Sequence, residues 1–231
     1  GVRAQAAHMS VGNEHSILRL ITPPPLQGRQ LDAVLEYEFK KHLPLTEDEA
    51  EIRYETVTDN DELRVLVGTV RKGHVQALMS LAGAAGVRVQ SLEPRALAVV
   101  RAAPCAADSE AEIYVDVAGE SSSVNGRNAH TLFMNRVGEA GVSRFEENPS
   151  AAARSLISDM DDVAHYITNQ MTNQFRIVLT GAAWRYPELS QMIERHFNRP
   201  PERPIFHPDL DVPAELAQDL EPFTAAIGLA I

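Results

Sequence analysis

Cysteine is nearly absent from this sequence: Cys105 is the only one in 231 residues. A single thiol excludes a disulfide framework and any metal knuckle built on cysteine pairs, and it suits a reducing compartment. No apolar run approaches the roughly 18 to 20 residues that a membrane-spanning helix needs. The best candidate, Ala225–Ile231, is far too short. The first residues lack the apolar core of a signal peptide. A basic face is missing as well. Lys and Arg number 21 against 32 Asp and Glu, a net charge of −11, which speaks against nucleic-acid binding. There is no G-x-S-x-G elbow for a serine hydrolase, and His196 and His207, with prolines between them, have no ligand spacing. What remains is ordinary globular material. Hydrophobic residues make up 44% and charged residues 23%, enough for one large or two small cores.

The order of elements is read from periodicity. Gly1–Met9 (GVRAQAAHM) reads as a remnant of cloning and is set aside. Ser16–Thr22 reads as a strand, stopped by Pro23, Pro24 and Pro25. Leu31, Val34, Leu35, Glu38 and Phe39 lie at helical spacing, with the helix ending before Pro44. Glu51–Val57 and Leu63–Val70 read as a hairpin around Asp59-Asn60-Asp61. His74–Ala85 reads as a helix broken by Gly83 and Gly86, Val87–Leu92 as a strand and Arg95–Ala103 as a short helix. This βαββαβ order is a compact half by itself.

Cys105–Ala111 is small and polar and is taken as the boundary, giving domains 10–104 and 105–231. Ile113–Asp116 reads as a strand running into a small-residue turn over Val117–Ser123. Asn125–Asn128 (NGRN) carries a hairpin signal, with Thr131–Val137 returning. Pro149–Gln170 has a helical stripe of Leu156, Ile157, Met160, Val163, Ala164 and Ile167. Phe175–Thr180 reads as a buried strand, Leu189–Phe197 as a helix, and Leu216–Ile231 as a closing helix with a break at Pro222.

Several spaced motifs resemble the PilM family of actin-like proteins of type IV pilus assembly. They are Leu31–Pro44 (LDAVLEYEFKKHLP), Ala84–Val99 (AAGVRVQSLEPRALAV), Val115–Ser122 (VDVAGESS), Asn135–Gly141 (NRVGEAG), Leu179–Ala183 (LTGAA) and Thr224–Ala230 (TAAIGLA). Their shared order covers about residues 16–231. The resemblance implies an α/β fold with an actin-like (RNase H-like) half and a small βαββαβ half of the subdomain 1C type. Departures accompany it. Nothing like the family's first phosphate-gripping hairpin precedes Ser16, and Gly141 to Ser150 is a short link where the family has subdomain 2B. Ala118, Ala182 and Ala183 stand where glycines are usual.

The resemblance makes Asp116, Gly119, Ser121, Ser122, Gly181 and Ala182 the candidate nucleotide-binding residues, in a form that is vestigial. Asp116 could hold a metal-bound water, and Gly119, Ser121 and Ser122 could donate to phosphate. The plainer reading is a strand end with a serine-rich turn, and a Gly181 needed for the turn after its own strand. The acidic run Asp159, Asp161 and Asp162 reads as a solvated helix face, Trp184 as a core or interface anchor, and Cys105 as a thiol that nothing activates.

The function implied is a cytoplasmic scaffold of the inner-membrane platform. It would work by protein binding and take its membrane association from a partner. That partner is a PilN-like single-span protein whose cytoplasmic N-terminal tail docks on the scaffold. Other platform proteins and self-association are further partner expectations, and twitching motility is the process served. No metal or catalytic residue is expected. The alternatives are an actin-like ATPase binding ATP with Mg²⁺, and a GspL-like cytoplasmic domain of type II secretion.

Overall fold

The computed structural model describes residues 5–24, 30, 33–34, 37, 48–59, 62–106, 110–207, 210 and 219–231. Most of the helix expected from Leu31 to near residue 42 lies outside them; residues 33, 34 and 37 are helical. The chain divides into two units, residues 1–94 and 95–231. The break falls ten residues before the small polar stretch read as the boundary.

In the first unit, β2 (Ser16–Ile21), β3 (Ala50–Asp59) and β4 (Glu62–Arg71) form an antiparallel sheet in the order β2-β4-β3. The β3–β4 hairpin and the central place of β4 are as the alternation predicts. Val65, Val67 and Thr69 point to one face and are buried, with Ile21, Ile52 and Leu63 packed around the two valines. Helix α1 (Lys72–Ala84) ends where Gly86 takes a φ of 70°. Of its residues only Ala82 is buried.

Strand β5 (Arg88–Pro94) does not join the β2-β4-β3 sheet. It pairs in parallel with β1 (Ala6–Val11), from Ala6 opposite Arg88 to Val11 opposite Pro94. Residues 6–9, set aside at the sequence level, therefore lie in a strand. Their only visible signal was composition, which carries no pairing information.

The second unit opens with the short helix α2 (Arg95–Arg101). Its sheet has the order β8-β7-β6-β9, with β6 (Glu112–Val117), β7 (Ser122–Arg127), β8 (Leu132–Gly138) and β9 (Arg176–Gly181). The β6–β7 and β7–β8 pairs are antiparallel, and β6–β9 is parallel. On one face lies α4 (Pro149–Gln170), started by Asn148, whose side chain accepts from Ala151 N–H at 3.1 Å, with Pro149 in the first turn. All six residues of its predicted stripe are buried. Gly126 lets it approach, since a Cβ there would stand 2.9 Å from Val163 Cγ1.

Against the other face lie α2 and α6 (Thr224–Ala230), which pack on each other. They touch at glycine: a Cβ on Gly228 would stand 2.5 Å from the carbonyl carbon of Ala98. The expected break at Pro222 is a 3₁₀ turn over Glu221–Phe223. Helix α5 (Pro187–Phe197) and a short α3 (Val142–Glu147) complete the unit. No helix was expected at α3.

Of the two predicted turns of the β6–β7–β8 meander, the first is narrower than expected and the second is displaced. The first turn spans Ala118–Ser121, closed by Ala118 N–H to Ser121 O at 2.9 Å, so Ser122 and Ser123 belong to β7. The second spans Asn128–Thr131, where Asn128 Oδ1 accepts from His130 N–H at 2.9 Å and Thr131 N–H at 2.8 Å. Asn125-Gly126 is strand because Asn125 is bonded sideways, donating to Tyr114 O and accepting from Asn135 Nδ2. Asn128 supplies the turn instead.

Candidate functional site: the polar face of the second sheet

Glu112, Tyr114 and Asp116 alternate along β6. The register sets Arg127, Asn125 and Ser123 opposite them on β7, and Arg176, Val178 and Thr180 opposite them on β9. Because successive side chains point to opposite faces, one face of the sheet is mostly polar. The other carries Ile113, Val115, Val117, Val124, Ile177 and Leu179. All the polar members except Arg176 are fully buried. Buried polar groups are as a rule hydrogen-bonded, and on this face the Tyr114 hydroxyl is an exception, buried without a partner.

At the end where β6 and β9 finish, Asp116 is 0% exposed. Arg95, the first residue of α2, holds both its oxygens, Nε donating to Oδ2 at 2.7 Å and Nη2 to Oδ1 at 3.1 Å. Gly181 lies beside it with a φ of 64°, and a Cβ there would stand 2.6 Å from Asp116 Oδ1. Only glycine fits that conformation and approach. Ala182 is buried next, its N–H bonded to Val117 O at 2.9 Å. Thr180 Oγ1 and Thr224 Oγ1 are hydrogen-bonded beneath, joining β9 to α6.

The turn after Asp116 is fixed from its far side. Val142 N–H donates to Ala118 O at 2.8 Å and Ser143 N–H to Gly119 O at 3.1 Å, so these carbonyls cap the start of α3. Gly141 lies flat against the turn, and a Cβ on it would stand 2.5 Å from Ser121 N. Gly119 is exposed at the tip and Ser121 is buried. Ser122 sits opposite Val117 and therefore faces α4, with its hydroxyl buried and without a partner.

Of the six candidates, then, Asp116, Gly181 and Ala182 come together at adjoining strand ends. Gly119 stands at the turn's tip, and Ser121 is buried within the turn. Ser122 belongs to the opposite face and cannot act jointly with Asp116. A turn over the whole of Val117–Ser123 hides the strand alternation that sets Ser122 and Ser123 on opposite faces.

At the other end of the face, Glu112 is 1% exposed and Arg127 is 5% exposed. Arg127 donates to Glu112 Oε2 from Nε at 2.9 Å and from Nη2 at 2.6 Å, while its Nη1 donates to the carbonyls of Val100 and Ala103, each at 2.6 Å. Its guanidinium stacks 4.3 Å from the Tyr114 ring centre. Burial pushes the Tyr114 phenol up. A cavity of about 220 Å³ opens here, lined by Cys105, Glu112, Arg127, Arg176 and Arg203 among others. Burial, with Glu112 nearby, pushes the Cys105 thiol up to about 11, so it is protonated at neutral pH and unreactive.

The acidic run on α4 is partly engaged. Asp162 pairs with Arg136 at 2.7 Å and Asp161 with His196 at 2.7 Å. Asp159 is drawn in over Gly138, and burial pushes its carboxyl up. Among the described residues, no group of three His, Cys, Asp or Glu side chains is placed to hold a metal ion.

No family model matches the chain, and no curated protein sequence does. Solved structures do. A structure of the PilM–PilN type IV pilus biogenesis complex is similar at 17% identity, over 99% of this chain and 80% of that one, with a TM-score of 0.77. The fold is that of the actin-like proteins. A protein of Bacteroides thetaiotaomicron, described as having an actin-like ATPase fold and unknown function, matches at 10% identity over 98% of this chain and 74% of its own, with a TM-score of 0.53. The cytoplasmic domain of EpsL, an inner-membrane component of the type II secretion system of Vibrio cholerae, matches over 73% of this chain at 16% identity and a TM-score of 0.48, and the chain spans 58% of it. No helix among the described residues is long and apolar enough to cross a membrane.

Within this actin-like fold, the residues that sequence reading missed are the cations. Arg95 was legible in one respect. A positive side chain in the first turn of a helix opposes the helix dipole and so asks for an acidic partner. Glu112 and Asp116, at alternate positions of an otherwise apolar strand, were the matching signal.

Proposed function

We propose that this chain is a scaffold of a type IV pilus inner-membrane assembly platform, and that it binds the cytoplasmic N-terminal tail of a PilN-like single-span membrane protein. One observation carries the reading. The fold likeness at a TM-score of 0.77 extends over 99% of the chain, and it falls on a sequence whose motifs resemble the same family in the same order. A peptide partner suits an acidic chain with no candidate membrane span among its described helices. In this reading the protein reaches the membrane through its partner and contacts other platform proteins there.

The test is calorimetric titration of the full chain with a synthetic PilN-like N-terminal tail, beside a scrambled peptide of the same composition. Saturable binding of the native tail alone is expected. Equal heats from the two peptides would overturn the proposal.

A second reading, an actin-like ATPase, is favoured by one observation: Asp116 and Gly181 do lie side by side at the ends of parallel strands. A GspL-like role in type II secretion shares the platform function and differs in the tail accepted. The same titration with a GspL partner's tail separates it.

A further inference from the structure

We infer that Arg95 supplies, from within the chain, the positive charge that a bound divalent cation would bring to Asp116, and that this end of the sheet is thereby closed to a magnesium nucleotide. The inference goes beyond the scaffold reading and holds whichever tail the protein accepts.

Asp116 and the donors around it are a poor match to Mg²⁺ and phosphate. Asp116 is completely buried and both its oxygens are engaged by one guanidinium. That bidentate fork occupies the lone pairs that would face a metal-bound water. The Gly181 backbone closes on the carboxylate beside Oδ1, so near that no Cβ fits between. A phosphate cradle requires free backbone N–H groups turned toward the ligand. Here Ala118 N–H is bonded across its own turn and Ala182 N–H to Val117 O, while the carbonyls of Ala118 and Gly119 are spent on α3. Gly141 presses on the turn and fixes it. Of the two hydroxyl candidates, Ser122 lies on the other face and Ser121 is buried within the turn. The residues present do not fit the group.

Arg95 is also held in place. Ala96, Ala98 and Val99 of its helix are buried, Gly228 packs on Ala98, and Arg101 donates to Gly228 O at 2.8 Å. The side chain therefore belongs to an element seated in the core. The pair anchors α2, and through it α6, to the polar face of the sheet.

The experiment has two arms. In the first, the full chain is titrated with Mg-ATP and Mg-ADP and its melting midpoint is followed. No heat and no shift are expected up to 1 mM, whereas a dissociation constant of about 10 µM would move the midpoint by roughly 5 to 10 °C. In the second, Arg95→Gln, Asp116→Asn and the double variant are melted. Each single change is expected to lower the midpoint by roughly 5 to 10 °C, and the double variant by less than the sum, because losing one partner strands the other. Where Arg95→Gln fails to fold, Arg95→Lys, which keeps the charge and loses the fork, takes its place with a smaller loss. Nucleotide binding that Asp116→Asn abolishes would overturn the inference. So would strictly additive losses. Tail binding in either arm is unaffected, so this inference and the scaffold reading can fail separately.

Discussion

Asp159 stands over Gly138 on α4, half buried, beside the unpartnered hydroxyl of Ser122. Burial raises its folded pKa above the unfolded value, with Arg136 opposing. A carboxyl so shifted favours the folded state most when protonated. Its contribution is best at acid pH and is lost as pH rises from the unfolded value through the folded one. Asp159→Asn is therefore expected to raise the melting midpoint at pH 7 and to leave it nearly unchanged near pH 3. A midpoint lowered at pH 7 would contradict the burial reading. Arg127 is the opposite case, a cation whose partners are all internal. Arg127→Met leaves Glu112 Oε2 and the carbonyls of Val100, Ala103 and Pro104 without their donor and is expected to cost about 3 to 5 kcal/mol in denaturant unfolding. These side chains were hard to read at the sequence level because each is defined by a partner far along the chain: Arg127 by Val100 and Ala103, Arg95 by Asp116.

Helix α4 was legible because a 3.6-residue stripe reports directly on one buried face, and all six named positions are buried. Leu156→Ala, at 0% exposure, is expected to cost about 2 to 5 kcal/mol. The contact between α2 and α6 was legible only as the string TAAIGLA. Its physical content is a helix approach that admits no side chain at Gly228. Gly228→Ala is expected to lower the melting midpoint strongly although alanine is the better helix former, whereas Gly73→Ala, with nothing within 4 Å of the added carbon, is expected to be neutral or stabilising. The second meander turn was misplaced because Asn-Gly signals a turn only when its side chains have no better use. Here Asn125 is bonded between Tyr114, Ser123 and Asn135. Similarly, β1 came from a stretch whose composition suggested nothing structural, and its pairing with β5 joins positions 82 residues apart, Ala6 with Arg88.

At the scale of the whole molecule, the α/β class and the actin-like architecture follow from motif order, and the structural likeness bears both out. The candidate site was legible as a place, the ends of β6 and β9, but not as a chemistry. The resemblance places a nucleotide at these strand ends, while the bonds made there tie a helix to a sheet. On the reading proposed above, this end of the sheet serves as internal structure and the protein works by binding a peptide. The measurement that tests this most directly is the affinity for the PilN-like N-terminal tail, taken on one preparation with and without Mg-ATP. The expected result is a single dissociation constant, the same in both conditions. Tail binding that appears only with Mg-ATP, or no tail binding in either, would contradict it.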